Sequence, residues 1–132
     1  MKLWLDDART APEGWVHVTT TEECIAKLAT GEVEMVSLDN DLGWLIDDGY
    51  IYSGERRLAP EGYTVVEWMV ENNVWPEWVS VHSNNVVAAK HMQQMIETHG
   101  NYGRKQFVEF HVEDRARRLD VRYPAVGYAR QS

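Results

Sequence analysis

The chain has 132 residues, 44% of them hydrophobic, and a formal net charge of −8, so it can form one domain with a packed core and is not a disordered acidic protein. No apolar run approaches the roughly 20 residues of a membrane-spanning helix, and Asp6 and Asp7 come too early for a signal-peptide core. Cys24 is the only cysteine, which excludes an intrachain disulfide and predicts a cytoplasmic protein.

The charge is unevenly distributed along the chain. Residues 1–99 carry 17 acidic and 6 basic side chains, a net −11, whereas residues 100–132 carry 4 and 7, a net +3. Such an acidic body disfavours an extended double-stranded nucleic acid, but clustered carboxylates tolerate one another around a cation. The C-terminal basic residues could meet a phosphate or form a solvated face, and their segment could bind a protein partner. Six of the seven are Arg104, Lys105, Arg115, Arg117, Arg118 and Arg122.

The predicted elements alternate along the chain. Apolar or alternating runs predict strands at residues 2–5, 15–19, 35–38, 78–81 and 107–112. Helical spacing predicts three helices, the first capped by Thr20 or Thr21 and ended by Gly31, and the others at residues 62–73 and 86–99. Cys24 is expected on the buried face of the first helix.

Residues 43–61 contain three glycines and Pro60 without a sustained period, which predicts a long loop. Trp44, Tyr50 and Tyr52 could stack on a base there or pack against the body. Asp47 and Asp48 could close over a ligand, although an exposed acidic turn is favoured.

This order predicts a single α/β domain over residues 1–132, with a mostly parallel sheet and crossover helices on both faces. The connection from Asp7 to Trp15 is short, so the first crossover helix is expected to be missing. Residues 100–132 are expected to form a basic extension or to complete the sheet.

Polar clusters follow three of the predicted strands. These clusters are Asp6-Asp7 with Arg9, Asp39-Asn40-Asp41, and His82-Ser83-Asn84-Asn85. Because the carboxyl ends of parallel strands share one edge, we expect the three clusters to converge there. Crowded carboxylates need a compensating cation, and oxygen ligands suit Mg²⁺, so Asp6, Asp7 and Asp39 are the predicted metal ligands. Taken singly, each aspartate could instead be a turn former.

The same clusters supply candidates for catalysis and substrate binding. His82 could act as general acid or base, or be a histidine hydrogen-bonded into a loop. Asp41 is a second candidate for moving protons, and Ser83 and Asn85 are candidates for holding a phosphate. Arg9 could pair with a substrate phosphate or form an ion pair with Asp41.

A weaker signal is His17-Val18-Thr19, which matches the H-x-T pattern of metal-independent two-histidine phosphoesterases. These enzymes need a second such motif, and His111-Val112-Glu113 lacks the hydroxyl. A histidine within a strand is therefore the favoured interpretation of His17.

The motifs together resemble the cyclic-phosphate processing receiver-like domains, compact relatives of two-component receiver domains. The matching segments, which span residues 1 to about 97, are Leu5–Arg9 with Pro12, Ser37–Gly43, Gly62-Tyr63, and His82-Ser83 with Asn85. The resemblance implies a receiver/flavodoxin-like three-layer sandwich, with Asp6 and Asp7 as metal-binding acids and Asp39 at the phosphoacceptor position. His82 and Ser83 would lie where receivers carry a small hydroxyl residue.

The sequence departs from the family pattern at two places. Asn40 stands where the family usually has histidine, and residues 85–89 lack the expected proline and glycine. Both departures bear on catalysis more than on fold.

The leading hypothesis is a Mg²⁺-dependent phosphoesterase, a hydrolase acting on a cyclic phosphate or nucleotide in a small ligand or at an RNA end. The alternative is a non-catalytic module of receiver fold that binds a nucleotide or a protein. A signalling receiver is disfavoured because Lys105 precedes the last predicted strand, whereas receivers place their lysine at the end of the fifth strand.

Overall fold

The computed structural model describes residues 1–41, 44–46, 56–58, 61–83, 85–114 and 117–130. Its strands are β1 Lys2–Leu5, β2 Val16–Val18, β3 Met35–Leu38, β4 Trp44–Ile46, β5 Arg56–Leu58, β6 Trp78–Val81, β7 Arg104–Asp114 and β8 Leu119–Ala129. Its helices are α1 Thr21–Leu28, α2 Tyr63–Asn72 and α3 Val86–His99. Among the described residues, no helix is long and apolar enough to cross a membrane.

Six strands form one sheet in the order β2-β1-β3-β6-β8-β7. The first four run parallel, while β8 is antiparallel to both β6 and β7. The predicted α/β receiver-like fold with a mostly parallel sheet is thereby confirmed. As expected, residues 6–15 contain no helix between β1 and β2.

The three helices cover one face of the sheet. Leu3, Val36 and Val79 are aligned across β1, β3 and β6, and they share a buried core with side chains from all three helices. Strand alternation puts neighbouring residues on opposite faces. Cys24 lies in this core, where burial raises the pKa of its thiol to about 12, so it is an inert packing residue.

The opposite face carries Trp4, Ser37 and Ser80, all fully buried. The layer over this face consists of the β1–β2 connection and the far half of the β7–β8 hairpin, which contribute Trp15, Phe110, Val112 and Tyr123 to a cluster around Trp4. The expectation of crossover helices on both faces therefore differs from the structure, because the hairpin fills the second layer.

Two regions depart from the predicted elements. β4 and β5 form a two-stranded antiparallel ladder within the segment expected to be a loop, while the side chains of Trp44, Tyr50 and Tyr52 and the pair Asp47-Asp48 lie outside the described part of the chain. β7 is longer than predicted, and β8 had no clear signal in the sequence. Their 11 paired positions let each strand satisfy the other's backbone groups, so pairing compensates for a weak local pattern.

Candidate functional site

The end of β1 turns around the carboxylate of Asp6. Its Oδ1 accepts hydrogen bonds from the backbone N–H groups of Ala8 and Arg9, both at 2.9 Å. The Asp6 carbonyl oxygen lies 2.7 Å from Nε2 of His17 on the neighbouring strand β2. The side chain of Asp6 is thus fixed by its own turn, and its backbone is fixed from β2.

Asp6, Asp7 and Asp39 converge at the carboxyl edge of the sheet. Each offers one oxygen, and these oxygens all lie within 4.8 Å of one another. Asp6 and Asp39 are buried, at 1% and 7% exposure, while Asp7 is open to solvent. Three oxygen donors with one open side fit a hard divalent cation that keeps several waters, so this cluster could bind a metal.

The two buried carboxylates have opposite pKa shifts. Burial, reinforced by the charge of Asp6, raises the pKa of Asp39 to about 7, against weaker lowering by Arg9, the Asn40 N–H and the Ser83 hydroxyl. Burial alone would also raise the pKa of Asp6, but hydrogen bonds from His82 and the backbone outweigh burial and lower it. In the absence of a cation, Asp6 therefore carries the negative charge and Asp39 tends to hold a proton.

A buried chain of hydrogen bonds supports Asp6 from below. The Ser80 hydroxyl donates to Ser37 Oγ at 2.7 Å, and Ser37 Oγ lies 2.7 Å from His82 Nδ1. His82 Nε2 lies 3.1 Å from Asp6 Oδ2. An ionised carboxylate can only accept, so Nε2 carries the imidazole proton and Nδ1 accepts from Ser37.

The imidazole of His82 is enclosed as well as hydrogen-bonded. Its ring stacks on Trp4 with centroids 3.8 Å apart, and the residue is 1% exposed. Burial lowers the pKa of His82 more than Asp6 raises it, so the ring is neutral. Both ring nitrogens face protein groups.

Arg9 lies beside the same buried group. Its Nη1 donates a hydrogen bond to the His82 carbonyl oxygen, and its Nε lies 4.0 Å from Asp6 Oδ2. The guanidinium carbon is 5.4 Å from the ring centroid of Tyr123 on the hairpin. Among the described residues Arg9 forms no ion pair with Asp41, which was the alternative to a phosphate contact, and its side chain remains 19% exposed at the rim of the site.

Asn40 joins the end of β3 to the start of α2. Its Oδ1 accepts from the Tyr63 N–H at 3.1 Å, and its carbonyl oxygen accepts from the Gly62 N–H at 2.8 Å. A Cβ atom at Gly62 would lie 1.9 Å from the Asp39 carbonyl oxygen. Glycine is therefore required where this backbone passes behind Asp39, and the side chain of Asn40 is used structurally.

The predicted substrate-binding residues lie between Asp39 and Asp41. The Ser83 hydroxyl is near enough to Asp39 to lower the pKa of its carboxyl slightly against the larger effect of burial, and it accepts a hydrogen bond from the Asn85 N–H at 3.1 Å. Asn85 caps α3 through the Ala88 N–H, and its Nδ2 lies 3.4 Å from Asp41 Oδ1. Asp41 is exposed, so this end of the site is open to a ligand.

The structure thus brings the described residues of all three predicted clusters to one edge, while Asn84 lies outside the described part of the chain. Some supporting residues were missed. Ser37 and Ser80 occupy matching positions within the apolar runs of β3 and β6, and a serine repeated at such positions was the available signal. His17 lies in a strand as favoured from the sequence, yet it also contacts the backbone of Asp6.

Comparison with known proteins agrees with this geometry. The family model of the cyclic-phosphate processing receiver domain matches residues 1–98, about three quarters of the chain. The searches of curated proteins and of solved structures found no match to this chain. The matched region contains β1 through most of α3, and with them every residue of the site described above except Tyr123. The chain belongs to the cyclic-phosphate processing receiver domain family.

Proposed function

We propose that this domain is a divalent-metal-dependent phosphoesterase that acts on a cyclic phosphate or a nucleotide. The proposal is carried by the three carboxylate oxygens of Asp6, Asp7 and Asp39 within 4.8 Å of one another. The family's description as cyclic-phosphate processing supports the substrate class. A bound Mg²⁺ would polarise the phosphoryl group and offset its charge.

The residues around the cluster are proposed to bind the phosphate and to transfer a proton. Arg9, at the rim with its guanidinium backed by Tyr123, would contact a phosphate oxygen with its remaining N–H groups. The Ser83 hydroxyl and Asn85 would hold the other side of the ligand. Asp41 is the exposed carboxylate nearest to them in the hydrogen-bond network, so it is the residue proposed to move a proton.

His82 has a different proposed role from the acid/base function expected from the sequence. Its two nitrogens already bond to Ser37 and Asp6, and the ring is covered by Trp4. A general acid or base needs to reach the substrate proton directly or through one water. We therefore assign His82 to positioning Asp6 and keeping it ionised.

The first test is Mg²⁺ binding followed by tryptophan fluorescence. Trp4 stacks on His82, which bonds to Asp6, so a cation at the cluster should change its emission. We expect saturable binding by the wild type and at least a tenfold loss in Asp39→Asn. Binding that is equal in the two proteins would show that the cation lies elsewhere.

The second test is turnover. Cyclic nucleotides and RNA ends bearing a cyclic phosphate should be hydrolysed in Mg²⁺, and activity should disappear with chelator and in Asp39→Asn. Asp120→Asn is a matched control, since this exposed aspartate lies on the hairpin outside the cluster. Substrate binding without hydrolysis would contradict the proposed phosphoesterase activity.

That outcome would favour a non-catalytic module that binds a nucleotide. One observation supports this second candidate, because Asn40 is committed to the backbone of α2 and provides no acid or base at the family's usual histidine position. A phosphoacceptor receiver is less well supported. Lys105 pairs with Glu97 at 2.8 Å. Through β8 it is aligned with the start of β6, so it lies near the amino ends of the parallel strands, whereas Asp39 lies at their carboxyl ends.

A further inference from the structure

β7 forms one outer edge of the six-stranded sheet. It pairs with β8 over 11 positions, and within the described part of the chain it has a strand on one side only. An unpaired edge presents a row of backbone N–H and C=O groups that can pair with another strand. The length of β7 makes it the largest such edge of the sheet, since β2 at the other end has three residues.

The outward side chains of β7 alternate with those that pack inward. Gln106, Val108, Phe110 and Val112 are half-buried or buried, whereas Lys105, Phe107, Glu109, His111 and Glu113 are exposed. Phe107 is 83% exposed, the most exposed large apolar side chain among the described residues. Exposed aromatic area along an unpaired edge is a feature of pairing surfaces.

The charges of β7 are complementary to a second copy running antiparallel. The strand begins with two basic residues and ends with two acidic residues. If a twofold axis passes through Glu109, Lys105 of each copy faces Glu113 of the other copy. Phe107 of each copy then faces His111 of the other. Opposite charges in facing positions stabilise a strand pair.

The neighbouring registers are less favourable. An axis through Val108 would place Lys105 opposite His111, and an axis through Phe110 would place Phe107 opposite Glu113. The axis through Glu109 has one unfavourable feature, the Glu109 carboxylate facing its own copy. His111 Nε2 lies 3.8 Å from Glu109 Oε2 in the same chain, beyond hydrogen-bond distance, so the two facing carboxylates are a cost of this register that the paired charges offset.

We propose that the domain forms a homodimer by antiparallel pairing of β7 with β7 of a second copy, centred on Glu109. The two six-stranded sheets then form one continuous sheet of twice that width. The inference is independent of the phosphoesterase proposal, because it concerns the hairpin at the far edge of the sheet from β2.

Disulfide trapping tests the register directly. In an antiparallel pair, facing Cα atoms are about 4.5–5.5 Å apart, within the range a disulfide can bridge. Glu109→Cys should therefore give an oxidised dimer. Phe107→Cys is the matched control, since its two copies would be separated by four positions, on the order of 13 Å. Cys24 is fully buried and should not contribute.

Charge exchange tests the same interface in solution by sedimentation equilibrium. Glu113→Lys should weaken self-association by about tenfold, because the twofold axis repeats each lost pair. Because Lys105 also pairs with Glu97 of its own chain at 2.8 Å, the restoring variant combines Lys105→Glu, Glu97→Lys and Glu113→Lys, which reverses both pairs and should recover association. Glu71→Lys, an exposed position on α2, is the control for the charge change and should leave association unchanged.

A wild-type protein that stays monomeric at its highest soluble concentration would overturn the proposal. So would a dimer that is insensitive to Glu113→Lys and is not trapped by Glu109→Cys, since that dimer would use another surface. Circular dichroism of each variant establishes that the fold is retained.

Discussion

Replacing Asp39 by asparagine should stabilise the metal-free domain, and more so at high pH. The pKa of the Asp39 carboxyl is raised from 3.8 to about 7 by burial and the neighbouring charge of Asp6. The folded state therefore holds the proton more tightly than the unfolded state. The stability from this group is fully present below about pH 4 and is lost as the pH rises towards about 7.

The size of the effect follows from the shift. A rise from 3.8 to about 7 corresponds to about 4 kcal/mol when fully expressed. Roughly a third of it is already expressed at about pH 5, so the difference in free energy of unfolding between Asp39→Asn and wild type should widen by about 3 kcal/mol between about pH 5 and pH 8. Asparagine keeps an oxygen to accept the Asn40 N–H, which lies 2.9 Å from Asp39 Oδ1.

The assay is urea denaturation of both proteins at the two pH values in chelator. Comparing the two proteins at each pH removes the effect of His82, whose pKa burial lowers, and Asp6, with its lowered pKa, is ionised over this range in both proteins. Asp41→Asn is the matched control, because it removes the same charge from an exposed side chain and should give no widening. A difference between Asp39→Asn and wild type that stays constant from about pH 5 to pH 8 would refute the reasoning.

Three further substitutions test the support of the site. Ser37→Ala leaves His82 Nδ1 without its partner at 2.7 Å, so it should cost about 2 kcal/mol in urea denaturation and weaken Mg²⁺ binding in the fluorescence titration. Gly62→Ala puts a Cβ 1.9 Å from the Asp39 carbonyl oxygen and should cost about 3 kcal/mol, seen as a lower melting temperature. Asn85→Ala removes the cap of α3 and should cost about 1 kcal/mol by the same measurement, whereas no loss would show that the cap is dispensable.

The central elements of the fold could be predicted because their local patterns match their burial. β3 and β6 are short apolar runs stopped by polar residues, and the predicted bounds agree with the structure. β8 could not be predicted in this way, since Arg122 and Pro124 interrupt its pattern. Its 11 pairs with β7 and its pairing with β6 are long-range contacts, which local propensity does not encode.

The sequence predicted that the aspartates of the site lie close together, but it did not predict the hydrogen bonds of His82. Placing Asp6 and Asp39 at one edge requires only parallel strands and their order. The inward orientation of His82 depends on Ser37 across the sheet and on Trp4 above the ring. A sequence shows that such residues exist, but not that the imidazole has both nitrogens occupied.

The buried chain through His82 also determines which carboxylate carries the proton. Hydrogen bonds hold Asp6 ionised, so the unfavourable charge falls on Asp39, whose pKa is raised to about 7. A cation that binds to ionised Asp39 must displace this proton below that pH, and its affinity should fall as the pH is lowered. Ionised Asp39 therefore destabilises the metal-free fold, and a bound cation would offset this loss of stability. The same residue is therefore the one whose substitution should stabilise the fold and abolish metal binding.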